Sequence, residues 1–116
     1  MSPRLISDLW VSAYLARLGR ANIPAYVIAR GDATAGAVVV KLALLDGTAR
    51  AYERTMDLVT GGRRWILLAE GAEADIDALL RRQRARDRDL WLIEVESRQG
   101  RTLLDVQRLT GNTLES

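Results

Sequence analysis

Apolar side chains recur at three- and four-residue steps near the N-terminus, at Ile6, Leu9, Trp10, Ala13, Tyr14 and Leu18, with Asp8, Ser12 and Arg20 on the other side. This spacing predicts an amphipathic helix over Ser7–Asn22. Ser2 followed by Pro3, or else Ser7, is expected to cap it, and Gly19 and Pro24 to end it. The pattern then changes to short β-type runs. Ala25–Arg30 is apolar on both faces, as suits a strand covered on both sides. Gly31–Gly36 is small and polar and reads as a loop. Ala37–Leu45 and Thr48–Met56 read as strands joined at Asp46-Gly47, a pair suited to the positive φ angles of a two-residue turn. In that register Leu42 faces Ala51, Lys41 faces Tyr52 and Val39 faces Arg54. Val38, Val40, Leu42, Leu44, Ala49 and Ala51 then share an apolar face, with Lys41, Arg50, Tyr52 and Arg54 on the other. A bulge would shift the register by one and exchange the faces.

Asp57–Gly62 is a turn region. Arg63–Glu70 is a further strand, with Trp65, Leu67 and Ala69 alternating with Arg64, Ile66 and Leu68, and Gly71 breaks it. A second helix is predicted over Ala72–Arg86, with Ala72, Ile76, Leu79, Leu80 and Gln83 facing inward. Acids stand in its first turns and arginines in its last, the order the helix dipole favours; Asp77 and Arg81 form an i,i+4 pair. Leu90–Arg98 is the last strand, with Trp91, Ile93 and Val95 on one face and Leu90, Leu92, Glu94, Glu96 and Arg98 on the other. Thr102–Leu109 reads as a short closing helix or an extended arm, and Asn112–Ser116 as a frayed end. The element order predicts an α+β domain: a mostly antiparallel sheet of about five strands, an N-terminal helix, and a second helix before the last strand. The helices are expected to back one face of the sheet.

Composition narrows what this domain can do. The chain has 116 residues, 48% apolar and 28% charged, which suits one domain with one hydrophobic core. It contains no cysteine and no histidine. Disulfides, thiolate nucleophiles and cysteine-based zinc sites are therefore excluded, together with the commonest general base and metal ligand. No metal site, cofactor or catalytic residue is expected. The net charge is +2 and the pI about 9.5. Lys41 is the only lysine, so the basicity is arginine-based, as GC-rich coding produces without selection for a phosphate partner. No run approaches the roughly 20 apolar residues of a membrane helix, no signal peptide is visible, and the cytoplasm is the expected location.

Three groups of residues could carry function. Arg30-Gly31-Asp32 sits in a loop that could offer backbone N–H groups to an anion. It opens into a strand and lacks P-loop or dinucleotide glycine spacing, so a strand connection is the expectation. Lys41, Arg50, Tyr52 and Arg54 together with Glu94 and Glu96 could form a ligand-binding sheet face or a set of cross-strand ion pairs. Carboxylates at i and i+2, about 6–7 Å apart along a strand, would also suit an acid–base pair. Arg81, Arg82, Arg84, Arg86 and Arg88 could bind an anion or a nucleic acid. They spread around the helix and are diluted by Asp87 and Asp89, and no RNA-recognition aromatic platform accompanies them.

The segments "ISDLWVSAYLARL", "ARGDATAGAVVVKL" with "DGTARAYE", and "RQRARDRDLWLIEVESRQGR", in this order from Leu5 to Arg101, resemble a family of small alphaproteobacterial proteins known as a domain of unknown function. The resemblance implies a compact bacterial cytoplasmic protein and carries over no reaction, cofactor or site residue. The reading is a non-enzymatic accessory or interaction domain, expected to pair with a second copy through a sheet edge or the N-terminal helix, or to bind another protein. The alternatives are a nucleic-acid-associated protein using Arg81–Arg88, and a small-ligand binder or enzyme centred on the charged sheet face.

Overall fold

The computed structural model describes residues 6–56, 59 and 62–106. The Ser2-Pro3 cap, most of the Asp57–Gly62 turn, positions 107–109 of the closing segment and Asn112–Ser116 lie outside the described residues. The elements run α1 (Ser7–Arg20), β1 (Ala25–Ala29), β2 (Val38–Ala43), β3 (Thr48–Met56), β4 (Arg63–Ala72), α2 (Glu73–Arg86) and β5 (Trp91–Glu96). The five strands form one sheet in the order β1-β5-β2-β3-β4. Three neighbour pairs are antiparallel and one, β2 with β5, is parallel. The fold is α+β as the pattern predicts, with a mixed sheet: the chain after α2 returns to the middle of the sheet and lies beside β2.

β2 and β5 are central, and this explains their composition. All six residues of β2, Val-Val-Val-Lys-Leu-Ala, are buried, as expected for a strand covered on both faces. The two helices lie on opposite faces of the sheet, not on one as expected. Val38, Val40, Leu42, Trp91, Ile93 and Val95 pack with Val11, Tyr14 and Leu18 of α1. Val39, Ala49, Ala51, Leu90 and Leu92 pack with Ile76 and Leu80 of α2. The strands alternate, so each face supplies its own core.

The β2–β3 register corrects the expected one. Leu42 pairs with Arg50, Lys41 with Ala51, Val40 with Tyr52 and Val39 with Glu53. Leu44 N–H reaches Thr48 O at 3.1 Å, so the loop is Leu45–Gly47, with positive φ at Leu45 (62°) and Gly47 (92°). Asp46 stabilises it by accepting from Thr48 N–H at 2.9 Å and Thr48 Oγ1–H at 2.6 Å. The extra loop residue exchanges the faces: Lys41 lies with Ala49 and Ala51 on the α2 side, and Arg50, Tyr52 and Arg54 lie on the α1 side. A bulge in β4 opposite Ala51/Tyr52 separates Trp65 and Leu67 from Ala69, which joins Leu68 in the α2-side core.

The helix ends differ from expectation for identifiable reasons. Ile6, not Ser7, is the N-cap; Ser7 Oγ instead donates to Gly36 O at 2.6 Å. The buried stripe of α1 is Ser7, Val11, Tyr14 and Leu18, while Leu9 is 55% exposed, because the helix is rolled toward the Gly36 contact. Its C-terminus is closed at Asn22 (φ 60°), with Ile23 N–H on Leu18 O and Asn22 N–H on Gly19 O. This is the Schellman arrangement, in which Asn can replace Gly, so Gly19 stays inside the helix. β4 continues through Gly71 to Ala72, and α2 begins at Glu73. Residues 101–105 carry no helix, and Val106 makes a parallel bridge with Trp65 on the outer side of β4. Tyr14 anchors that segment, its hydroxyl donating to Thr102 O at 2.8 Å.

Candidate functional site

Lys41 is the most unusual residue of the core. It is 4% exposed in the centre of the sheet. Its neighbour across β3 is Ala51, and across β5 it is Glu94; the small alanine leaves room for the ammonium to rise toward α2. Glu73 and Asp77, one helical turn apart, come down from α2. Lys41 Nζ lies 2.7 Å from Glu73 Oε2, 2.7 Å from Asp77 Oδ1 and 3.3 Å from Glu94 Oε1. Burial opposes the charge on Lys41, but the hydrogen bonds to Asp77 and Glu73 and the charge of Glu94 outweigh it and raise the pKa above the ordinary lysine range. A lysine so held stays protonated at neutral pH and offers neither a base nor a nucleophile. Asp77, expected to pair with Arg81, is engaged here instead.

The remaining residues of the expected charged face are dispersed. Arg50 Nε lies 3.4 Å from Glu70 Oε1 at the surface. A hydrogen bond with Tyr52, opposed by burial, raises the Arg50 pKa. Glu96 accepts from Tyr26 Oη at the outer limit of 3.5 Å. Arg54 stacks on α1: its Cζ is 5.0 Å from the Trp10 ring centroid, and Trp10 lies 4.7 Å from Tyr14 and 5.3 Å from Trp65. Burial, assisted by Arg63, lowers the Arg54 pKa to about 10, so the group is still cationic at neutral pH. The structure thus joins Lys41 with Glu94 and separates both from Arg50, Tyr52 and Arg54.

The Arg30-Gly31-Asp32 loop is a clasp whose polar groups work within the chain. Asp32 Oδ2 accepts from Thr34 N–H at 3.1 Å and Ala35 N–H at 2.8 Å, as expected for an Asx-type turn. Asp32 O accepts from Trp91 Nε1–H at 2.9 Å. The carbonyls of Ala33 and Thr34 accept from the Asp8 and Ser7 N–H groups at 2.8 and 3.3 Å, satisfying donors that a helix start leaves open. Arg30 places its guanidinium 5.0 Å from the Trp91 ring centroid, and its carbonyl accepts from Arg84 at 2.8 Å. A Cβ on Gly31 or Gly36 would lie 2.1 or 2.3 Å from Asp89 O, so both glycines are required by this close approach.

Of the arginine run, Arg81, Arg82, Arg86 and Arg88 are exposed and Arg84 is half-buried. Arg86 lines a cleft of about 260 Å³ between the end of α2 and the ends of β2 and β3. Glu53 and Arg54 line it from β3, and Gln83, Arg86 and Asp87 from α2 and its C-terminus, with Leu90 beneath. The cleft draws one arginine from each of two sets that sequence reasoning kept apart. Glu94 belongs to the expected charged set, but the two α2 partners of Lys41, Glu73 and Asp77, do not. Their signal was a lone lysine inside a valine-rich strand, together with two acids four apart beside the inward positions Ile76 and Leu80.

No cluster of His, Cys, Asp and Glu suited to a metal occurs among the described residues, and no helix among them is long and apolar enough to cross a membrane. The family profile described as Protein of unknown function (DUF1491) matches residues 5–105. Among solved structures, a DUF1491 family protein from Caulobacter crescentus CB15 is similar in its crystal structure, with 34% identity, a TM-score of 0.78, and coverage of 90% of this chain and 98% of that one. An NMR structure of a DUF1491 family protein from the same organism gives 34% identity, a TM-score of 0.79, and coverage of 92% and 100%. The solution structure of a protein from A. tumefaciens gives 32% identity, a TM-score of 0.77, and coverage of 93% and 98%. The search of curated proteins gives no match.

Proposed function

This chain belongs to the DUF1491 family, whose function is unknown, and from that premise we propose that it is a non-enzymatic interaction module that pairs with a second copy of itself along β1. One observation carries the reading. β1 is an edge strand paired with β5 on one side, and among the described residues nothing pairs with its other side. Its sequence, Ala-Tyr-Val-Ile-Ala, contains no charge, and Tyr26 and Ile28 are 52% and 51% exposed. Open edges are ordinarily guarded by charge, proline or a covering segment. The opposite edge, β4, has such guards in Arg63, Arg64 and Glu70 and in the Val106 bridge. β1 has a bulge between Val27 and Ala29, which limits the paired length to a few residues and makes a symmetric two-copy contact more fitting than open-ended addition.

The locked state of Lys41 supports a non-enzymatic role. The protein is taken to act in the bacterial cytoplasm, which its bacterial relatives and cysteine-free composition suit. Light scattering after gel filtration at tens of micromolar tests the pairing. The wild type is expected to run as a dimer and Ile28→Lys as a folded monomer. A monomeric wild type, or a dimer lost in Leu9→Lys and kept in Ile28→Lys, would overturn it.

A further inference from the structure

We infer that the two copies pair antiparallel with Tyr26 at the two-fold axis, so that the two Tyr26 side chains face each other across the joined sheets; this rests on the β1 pairing and specifies its register. Hydrogen-bond parity along β5 determines which backbone groups of β1 are free. Trp91 N–H donates to Ala37 O and Ser97 N–H to Ala43 O, so the odd-numbered residues of β5 turn their backbone groups toward β2. Glu96 N–H donates to Pro24 O at 3.0 Å, so the even-numbered ones face β1. Tyr26, opposite Glu94, therefore bonds inward, whereas Ala25 and Val27, opposite Val95 and Ile93, present their N–H and C=O groups to the open edge. Beyond Val27 the register shift makes Ile28 the extra residue and turns Ala29, opposite Leu92, back toward β5. On the other side of Ala25, Ile23 N–H is already bound to Leu18 O at 2.9 Å.

The free edge is thus Ala25 and Val27, with Tyr26 between them. Antiparallel pairing centred on Tyr26 sets Ala25 of each copy against Val27 of the other, and every outward N–H and C=O of both strands finds a partner. A centre at Val27 would set Ala25 against Ala29, whose groups face β5, and a centre at Ala25 would set Val27 against Ile23, whose N–H is taken. Either shift leaves donors or acceptors of the edge unpaired, which is costly once they are covered. The side chains favour the same register. Ala25 and Val27 pack into the α1-side core, so Tyr26 projects from the other face. Pro24, Tyr26 and Ile28 are all exposed; with Tyr26 at the centre, Tyr26 meets Tyr26 and Ile28 comes opposite Pro24, so only uncharged side chains meet. Tyr26 against Tyr26 is a non-hydrogen-bonded pair, the closer cross-strand spacing at about 4.5 Å between Cα atoms, where aromatic pairs contribute to strand association.

The chain has no cysteine, so single-cysteine variants of the full chain report the register by disulfide formation under diamide. Tyr26→Cys is expected to form a covalent dimer at least about tenfold faster than Ile28→Cys, because only directly opposed positions meet disulfide geometry. Mixtures of Tyr26→Cys with Ile28→Cys, or with Pro24→Cys, report the shifted registers, in which those positions stand opposite each other; the hybrids are expected to be minor products. Light scattering of the wild type separates the register from the pairing itself. A dimeric wild type with a predominant hybrid, or with Tyr26→Cys no faster than Ile28→Cys, overturns the register and leaves the pairing standing, whereas a monomeric wild type overturns both. Should Tyr26→Cys be monomeric, residue-resolved amide exchange of the wild-type dimer decides: protection of both Ala25 and Val27 is expected, and protection of one alone or of neither overturns the register.

Discussion

Lys41 Nζ and Asp77 Oδ1 stand 2.7 Å apart, joining the middle of the sheet to the second turn of α2. Glu73 and Glu94 complete the coordination, so this one ammonium fixes both the height and the rotation of the helix. Removing one partner of a buried ion pair typically costs about 3–5 kcal/mol. Here the carboxylates of Glu73 and Asp77 are 36% and 40% exposed and can rehydrate, which reduces the cost. Lys41→Met is therefore expected to lose about 2 kcal/mol, measured by urea unfolding. An unchanged midpoint would show that the cluster is a bystander.

Alkaline titration reports the same cluster. Lys41 and Tyr14 both have folded-state pKa values above their ordinary values of 10.5 and 10.0. For Tyr14 the cause is burial, partly offset by Arg17. The unfolded chain therefore releases these protons first as pH rises, and each group's contribution, complete below its unfolded pKa, is lost as pH climbs through the folded one. Stability should fall steadily above about pH 10. Tyr14→Phe and Lys41→Met should each make that decline shallower. Parallel profiles for the wild type and both variants would contradict the linkage.

Two glycines should respond to alanine in opposite directions. Gly19 lies within α1 with nothing within 4 Å of an added Cβ, so Gly19→Ala should stabilise by about 0.5–1 kcal/mol. At Gly31 the added Cβ would meet Asp89 O at 2.1 Å and Trp91 Cδ1 at 2.6 Å, and Gly31→Ala should cost about 3 kcal/mol. Thermal melts of the two variants check both signs.

Leu45 holds φ at 62° in the β2–β3 loop, a conformation costing a side chain of its kind about 1–2 kcal/mol. It is 43% exposed, so little burial is lost on replacement. Leu45→Asn should raise the melting temperature, because asparagine tolerates this region. A lower melting temperature would mean that the Leu45 side chain makes a contact worth more than the strain.

Much of the fold was legible from local patterns. The helices, the strands and the turn near Asp46-Gly47 follow from periodicity and turn chemistry, and the split of Trp91, Ile93 and Val95 from Leu90 and Leu92 is as alternation predicts. The side of the sheet that each strand presents to each helix was not legible, because it depended on one residue. Taking Leu45 into the loop moved Lys41 to the α2 face and left Arg54 against Trp10. A leucine at positive φ has no local signature, and the preference for Asp-Gly as a two-residue loop points the other way. The return of β5 beside β2 is a long-range choice, favoured because two largely apolar strands are best buried inside the sheet. The Lys41 cluster combines residues more than 30 positions apart, so it became visible only with the topology.

The open edge of β1 is the central claim, and amide hydrogen exchange of Ala25–Ala29 as a function of protein concentration tests it most directly. An edge N–H that points to solvent exchanges freely in the monomer and is protected when a second strand accepts its hydrogen bond. Between about 1 and 200 μM protein, outward amides of β1 should slow by at least about tenfold in the wild type and stay fast in Ile28→Lys. Exchange in β1 that is independent of concentration, while the rest of the sheet stays protected, would contradict the pairing.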